Sequence, residues 1–213
     1  FFEVFTDHEP DHLLLRQDEW RSKSFAANLD RILVLVAVEP PFADMLVARA
    51  LLAARAAGID ASIGLNKTDL AGAAAARARL APYLAMGAEL LEFALKADPD
   101  AARALLRPRL DGRATLLLGP SGAGKSTLVN LLVPGAAAQV GEISRALNAG
   151  RHTTTASTWY WIDAAHRTAL VDSPGFQEFG LRQIEATRLA VLMPDIAAAL
   201  GHCRFHNCTH RQE

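Results

Sequence analysis

The run Gly119-Pro120-Ser121-Gly122-Ala123-Gly124-Lys125-Ser126-Thr127 fits the pattern G-x-x-x-x-G-K-[ST], and its flanks restrict the fold around it. Ala114-Thr115-Leu116-Leu117-Leu118 before it reads as a short buried strand, and Ser126 to Leu132 after it reads as the first turns of a helix. Strand, glycine loop and helix in that order make a phosphate cradle. Glycine permits backbone angles that strain other residues, so successive N–H groups can converge on phosphate oxygens at the positive end of the helix dipole. The candidate cradle is Gly119, Ser121, Gly122, Ala123, Gly124 and Thr127, with Lys125 reaching the β- and γ-phosphates and the Ser126 hydroxyl holding Mg²⁺.

A chain of 213 residues, 51% of them hydrophobic, can bury the core of one sizeable α/β domain and carry small appendages. A formal net charge of -1 argues against a simple polyanion binder, so any RNA contact has to come from local patches. Cys203 and Cys208 make a poor disulfide framework and a better start on a metal site, which fits a reducing cytoplasm. No apolar run reaches the roughly 20 residues of a membrane span. The chain opens on Phe1 without a signal-peptide pattern and reads as a fragment.

Residues 1–28 are either the last strands of a small β domain or an irregular lead-in. Ile32 to Val38 is a branched apolar run suited to a parallel strand covered on both faces, stopped by Pro40 and Pro41. Phe42 to Ala57 reads as a helix ending at Gly58, and Ala61 to Leu65 as the next strand. At its carboxyl end, where open parallel sheets place ligands, comes Asn66-Lys67-Thr68-Asp69, an N-K-x-D motif. Guanine offers two adjacent donors that one carboxylate accepts together, and adenine does not. Asp69 is placed for that task, Asn66 for the base edge and neighbouring loops, and the Lys67 stem for the ring face. Residues 71–110 read as mostly helical with breaks at Pro82, Gly87, Pro99 and Pro108; within them Glu89 to Leu95 is a candidate strand, and Lys96-Ala97 is either a backbone contact to the base or a plain loop.

After the cradle helix, Gly150-Arg151-His152-Thr153-Thr154-Thr155 invites a switch reading, in which one threonine senses the γ-phosphate through Mg²⁺. Thr154 is the candidate, with Thr153 and Thr155 as alternatives. Trp159 to Ile162 and Thr168 to Val171 read as strands, with His166 a turn residue between them. The second delivers Asp172-Ser173-Pro174-Gly175, a D-x-x-G motif: Asp172 holds Mg²⁺ through water, and the Gly175 N–H meets the γ-phosphate. Phe176 stands where Ras-like enzymes put the water-orienting Gln. His152 is either its substitute or a surface histidine. Residues 181–200 read as one or two helices interrupted at Pro194, outside the nucleotide fold. Cys203, Cys208 and His210 supply three ligands for a structural zinc ion, the fourth being His206 or a residue beyond Glu213.

In conventional GTPases the N-K-x-D motif comes last, whereas here it precedes the P-loop, a circular permutation that a compact sheet tolerates because chain termini lie close together. The permuted order, Gly150 to Thr155, Asp172 to Phe176, and Cys203-Arg204-Phe205 with Cys208 and His210 together resemble the bacterial ribosome small-subunit-dependent GTPases known as RsgA or YjeQ. The resemblance runs from about Ala26 to Glu213. It implies an α/β P-loop GTPase fold with a mostly parallel sheet and helices on both faces over residues 29–180. It further implies the end of an OB-fold domain over 1–28 and an incomplete zinc-binding domain over 181–213. It implies GTP hydrolysis to GDP, with Mg²⁺ and one structural Zn²⁺ per chain, in a cytoplasmic, monomeric factor that binds the rRNA and proteins of the small ribosomal subunit late in assembly. There the subunit stimulates turnover and hydrolysis releases the factor. Lys125, His152 and Thr154 are the candidate catalytic residues. The alternative is a GTP-gated RNA- or protein-binding module with incidental turnover, which Phe176 keeps open; an ATP-using kinase or transporter is opposed by Asp69.

Overall fold

The structure, a computed structural model, describes residues 13–17, 22–27, 29–133, 135–136, 158–172, 181, 184–200 and 202. Near the amino end, β1 (Leu13–Gln17) and β2 (Ser22–Ala27) pair antiparallel with a register irregularity at Leu14/Leu15. Within 1–28, the described residues 13–17 and 22–27 are therefore strands.

The main sheet contains β3 (Arg31–Ala37), β4 (Asp60–Asn66), β5 (Glu89–Glu92), β6 (Ala114–Leu118), β7 (Thr158–Trp161) and β8 (Ala169–Asp172), in the spatial order β5-β4-β3-β6-β8-β7. All pairs are parallel except β7 with β8. Because side chains alternate along a strand, β3 feeds two cores. Ile32, Val34 and Val36 pack with Val47 and Ala50 of α1 (Asp44–Ala56) and Leu80 of α2 (Ala73–Ala85). Leu33 and Leu35 pack with Leu106 of α3 (Pro99–Leu110) and Leu128 of α4 (Lys125–Leu132). Helices therefore cover both faces, as the continuous apolar run of β3 requires.

Two expected breaks do not occur: α2 runs through Pro82 and α3 through Pro108. An interior proline removes its own N–H and crowds the carbonyl four residues back, and here packing beyond it holds the last turn. The Tyr83 hydroxyl donates to Asp44 O at 2.8 Å, and Leu110 is buried. Gly87 does end α2 in the left-handed region, at φ 89°, and Pro99 opens α3 behind the Asp98 cap, whose carboxylate accepts from Ala101 N at 3.0 Å. Downstream, α5 (Ala186–Leu192) and α6 (Pro194–Ala197) meet at Pro194 as expected. The first of them touches α1: Arg55 donates to Leu192 O at 2.9 Å, and Leu192 is buried.

The chain runs outward from β3 through β4 to β5, then returns to the other side of β3 with β6. The carboxyl ends of β3 and β6 thus flank a topological switch point, where loops diverge and a ligand can enter. Gly119, just past β6, fits closely there: a Cβ on it would lie 2.1 Å from Leu35 O. Gly119→Ala is expected to lower the free energy of unfolding in urea by at least 1–3 kcal/mol, roughly the cost of overpacking, because the obstacle is backbone. Arg103→Ala, which breaks an exposed 2.8 Å pair with Asp100, is expected to stay within about 0.5 kcal/mol. Equal losses in the two variants would contradict the packing account.

Candidate functional site: the glycine loop and the N-K-x-D loop joined at the switch point

The phosphate loop is shaped by its glycines. Gly122 and Gly124 hold φ of 80° and 110°, in the left-handed region that other residues enter at a cost of roughly 1–2 kcal/mol. Gly124 also leads directly into α4, and Leu128 N bonds back to its carbonyl at 2.9 Å. Lys125 folds over the loop, its Nζ donating to Gly119 O at 2.8 Å and to Pro120 O at 3.2 Å. Burial pushes the Lys125 ammonium below its usual pKa, and the Asp172 carboxylate pulls it back up. Asp172, at the end of β8, is raised by burial and lowered by Lys125. Its Oδ1 is buried with no hydrogen-bond partner among the described residues. An orphaned carboxylate oxygen on a residue coupled to Lys125, the first residue of α4, is a hard-oxygen donor of the kind that Mg²⁺ takes, so the residues fit that ion.

Asn66 fastens this loop to the N-K-x-D segment. Its Nδ2 donates to Ala123 O at 2.9 Å across 57 residues of sequence, and its Oδ1 accepts from Lys67 N at 2.8 Å and Leu95 N at 3.1 Å. With Asn66 only 3% exposed, these bonds are sheltered from water. They also explain a second demand on Gly124, where a Cβ would fall 2.3 Å from Asn66 Nδ2. Lys67 takes φ 62°, unusual for a residue with a side chain, and its Nζ donates to Glu39 O. Together the loops enclose a cleft of about 660 Å³. Asn66, Lys67 and Asp69 line one side, and Ser121, Gly122, Gly124, Lys125, Ser126 and Thr127 the other. Another cleft, of about 440 Å³, opens at the far end of β4 between Leu51, Arg55, Met86 and Met193, and among the described residues neither the Gly119–Thr127 loop nor a lysine lines it.

Two contributions were not assigned from sequence. Leu95 and Lys96 line the cleft, so the loop after β5 belongs to it, although β5 itself ends at Glu92 rather than Leu95. The signal was only positional, a loop at a strand's carboxyl end. The Glu39 carbonyl leaves no side-chain signature at all. His166 is a turn residue, at φ 54° and stacked 4.8 Å from Trp161. His152, Thr153, Thr154, Thr155, Gly175, Phe176, Cys203, His206, Cys208 and His210 lie outside the described residues.

The direction of the Asp172 shift has a consequence for stability. A carboxyl whose folded pKa is raised contributes to folding as pH falls through that value, and opposes folding above it. At pH 7 the buried carboxylate therefore acts against the fold. Asp172→Asn in nucleotide-free protein is expected to raise the thermal midpoint at pH 7; a lowered midpoint would show that the attraction to Lys125 outweighs desolvation.

A family model described as RsgA GTPase matches residues 8–182. The Small ribosomal subunit biogenesis GTPase RsgA of Variovorax paradoxus (strain S110) is 58% identical over 203 residues, covering 95% of this chain and 64% of that protein. Its namesake in Burkholderia pseudomallei (strain 668) is 52% identical over 206 residues, covering 96% and 65%. The chain thus spans a little under two thirds of the length of these curated relatives. Among solved structures it is similar to YloQ, described as a circularly permuted GTPase, with a TM-score of 0.63 at 22% identity over 94% of this chain and 68% of that one. It is likewise similar to YjeQ from Thermotoga maritima, with a TM-score of 0.65 at 22% identity over 97% and 66%. At that identity the structures speak to the fold alone, which is the permuted α/β arrangement described above. With the family model matched over most of its length and more than half its residues shared with relatives of that name, the chain belongs to the RsgA GTPase family.

Proposed function

We propose that the chain binds GTP and GDP with Mg²⁺ in the switch-point cleft, hydrolyses GTP, and serves the late maturation of the small ribosomal subunit. The observation that carries this reading is the Asn66 amide, which draws the base-reading loop and the phosphate loop into one cleft. Asp69 accepts the two guanine donors, the Lys67 stem covers the ring face, and the backbone amides from Ser121 to Thr127 receive the phosphates. Lys125 exchanges its carbonyl partners for β- and γ-phosphate oxygens, a low-cost exchange because burial already disfavours its charge without an anion. Ser126, Thr154 and Asp172 hold Mg²⁺, which when bound neutralises charge on the phosphates. Gly175 meets the γ-phosphate, and His152 positions the attacking water in place of the glutamine that Phe176 displaces.

The partner follows from the relatives, which are named for small ribosomal subunit biogenesis. The subunit, through its rRNA and proteins, stimulates turnover, and hydrolysis releases the factor. Cys203, Cys208 and His210 bind one structural Zn²⁺ with His206 or a residue beyond Glu213, in a carboxyl-terminal domain over 181–213. Residues 1–28 close an OB-fold domain, and 29–180 form the GTPase domain. The factor works as a monomer in the cytoplasm. Among the described residues no helix is long and apolar enough to cross a membrane.

Phosphate release from GTP and from ATP, with and without purified small subunits, tests this reading. Release from GTP alone, strongly stimulated by the subunit, is the expected result. His152→Ala is expected to cut the stimulated rate by roughly 10²–10⁴ while leaving GTP affinity nearly unchanged. Turnover indifferent to both the subunit and His152 would instead favour a GTP-gated binding module, the reading that Phe176 keeps open.

A further inference from the structure

Past the sheet, β3 continues as Val38-Glu39-Pro40, and this short loop lies between the two motif loops. On one side, a Cβ on Gly122 would lie 3.1 Å from Pro40 Cδ and 3.3 Å from Cγ, so the pyrrolidine ring backs the phosphate loop where its backbone turns left-handed. On the other, Val38 N donates to Asn66 O at 3.1 Å, and the Lys67 ammonium donates to Glu39 O. The loop is therefore braced from both sides, and the group it offers to Lys67 is a main-chain carbonyl.

We propose that Pro40 is a positioning residue for nucleotide binding: wedged against Gly122, it fixes the Glu39 carbonyl that holds the Lys67 ammonium, and so aligns the Lys67 stem as a wall for the base. This rests on the guanine-nucleotide reading of the cleft. A lysine stem has several rotatable bonds, and a free ammonium would leave it sampling many rotamers. Tethering the ammonium to a fixed carbonyl removes that freedom before the base arrives, which is preorganisation. A proline suits the wedge, since its restricted backbone limits the motion of the carbonyl immediately before it. The Glu39 carboxylate is not required, because the bond is to the main chain.

The test is a double-mutant cycle on GDP affinity and GDP dissociation rate, using wild type, Pro40→Gly, Lys67→Met and the double variant, with thermal midpoints measured in parallel. Pro40→Gly is expected to weaken GDP roughly tenfold in the wild-type background and less than twofold once Lys67 is Met, because the contact through which Pro40 acts is then gone. An equal loss in both backgrounds, or none in the first, would overturn the proposal; a role in folding alone moves the thermal midpoint without producing this coupling. Should Pro40→Gly fail to fold, Pro40→Ala enters the same cycle. A wild-type protein that binds neither GDP nor GTP would instead contradict the reading of the cleft, and that outcome is visible before any variant is compared.

Discussion

The Asn66 side chain uses both ends of its amide on main-chain groups from separate segments, giving a hydrogen to Ala123 O and accepting from Lys67 N and Leu95 N. A buried amide left without partners costs about 1–3 kcal/mol for each unmet group, so the site and the local fold stand or fall together. Other features of the cleft depend on this tie. Gly124 has to be glycine where the amide passes, Lys67 enters the left-handed region directly after it, and the loop after β5 is held at the cleft lined by Ser121 to Thr127.

The sheet supplies the setting for that tie. Because β4 and β6 flank β3, the chain ends that follow all three strands emerge together at the switch point. Gly119 lets β6 pass against Leu35 O, and Pro40 closes the gap against Gly122. Lys125 and Asp172 are both shifted toward their neutral forms by burial, and each partly restores the charge of the other. Burying such a pair works against the fold, which is the usual relation between stability and function at a site shaped for binding.

Much of this was legible in the sequence, for identifiable reasons. The apolar run of β3, the strand before Gly119 and the helix from Lys125 carry strong period and punctuation signals. The motifs Asn66 to Asp69 and Gly119 to Thr127 could be paired because each follows a strand of one parallel sheet, and they do meet in one cleft. Pro82 and Pro108 were misleading because local propensity ignores the packing of Tyr83 and Leu110 beyond them. The carbonyls of Glu39 and Ala123 and the amide of Leu95 could not be foreseen, since main-chain partners carry no residue-type signature. The docking of α5 on α1 joins the burial of Leu192 to a bond from one arginine, Arg55, among many exposed ones.

The central claim is that Asp69, held at the cleft by the Asn66 tie, reads guanine. Calorimetric titration of GDP and xanthosine diphosphate into wild type and Asp69→Asn tests it most directly. Xanthine carries a carbonyl where guanine carries the exocyclic amine, so an Asn amide can donate to it where an Asp carboxylate is repelled. The account predicts that Asp69→Asn weakens GDP by roughly 100-fold or more, the worth of two charge-assisted hydrogen bonds, and reverses the preference toward xanthosine diphosphate. An unchanged GDP affinity in Asp69→Asn would contradict it.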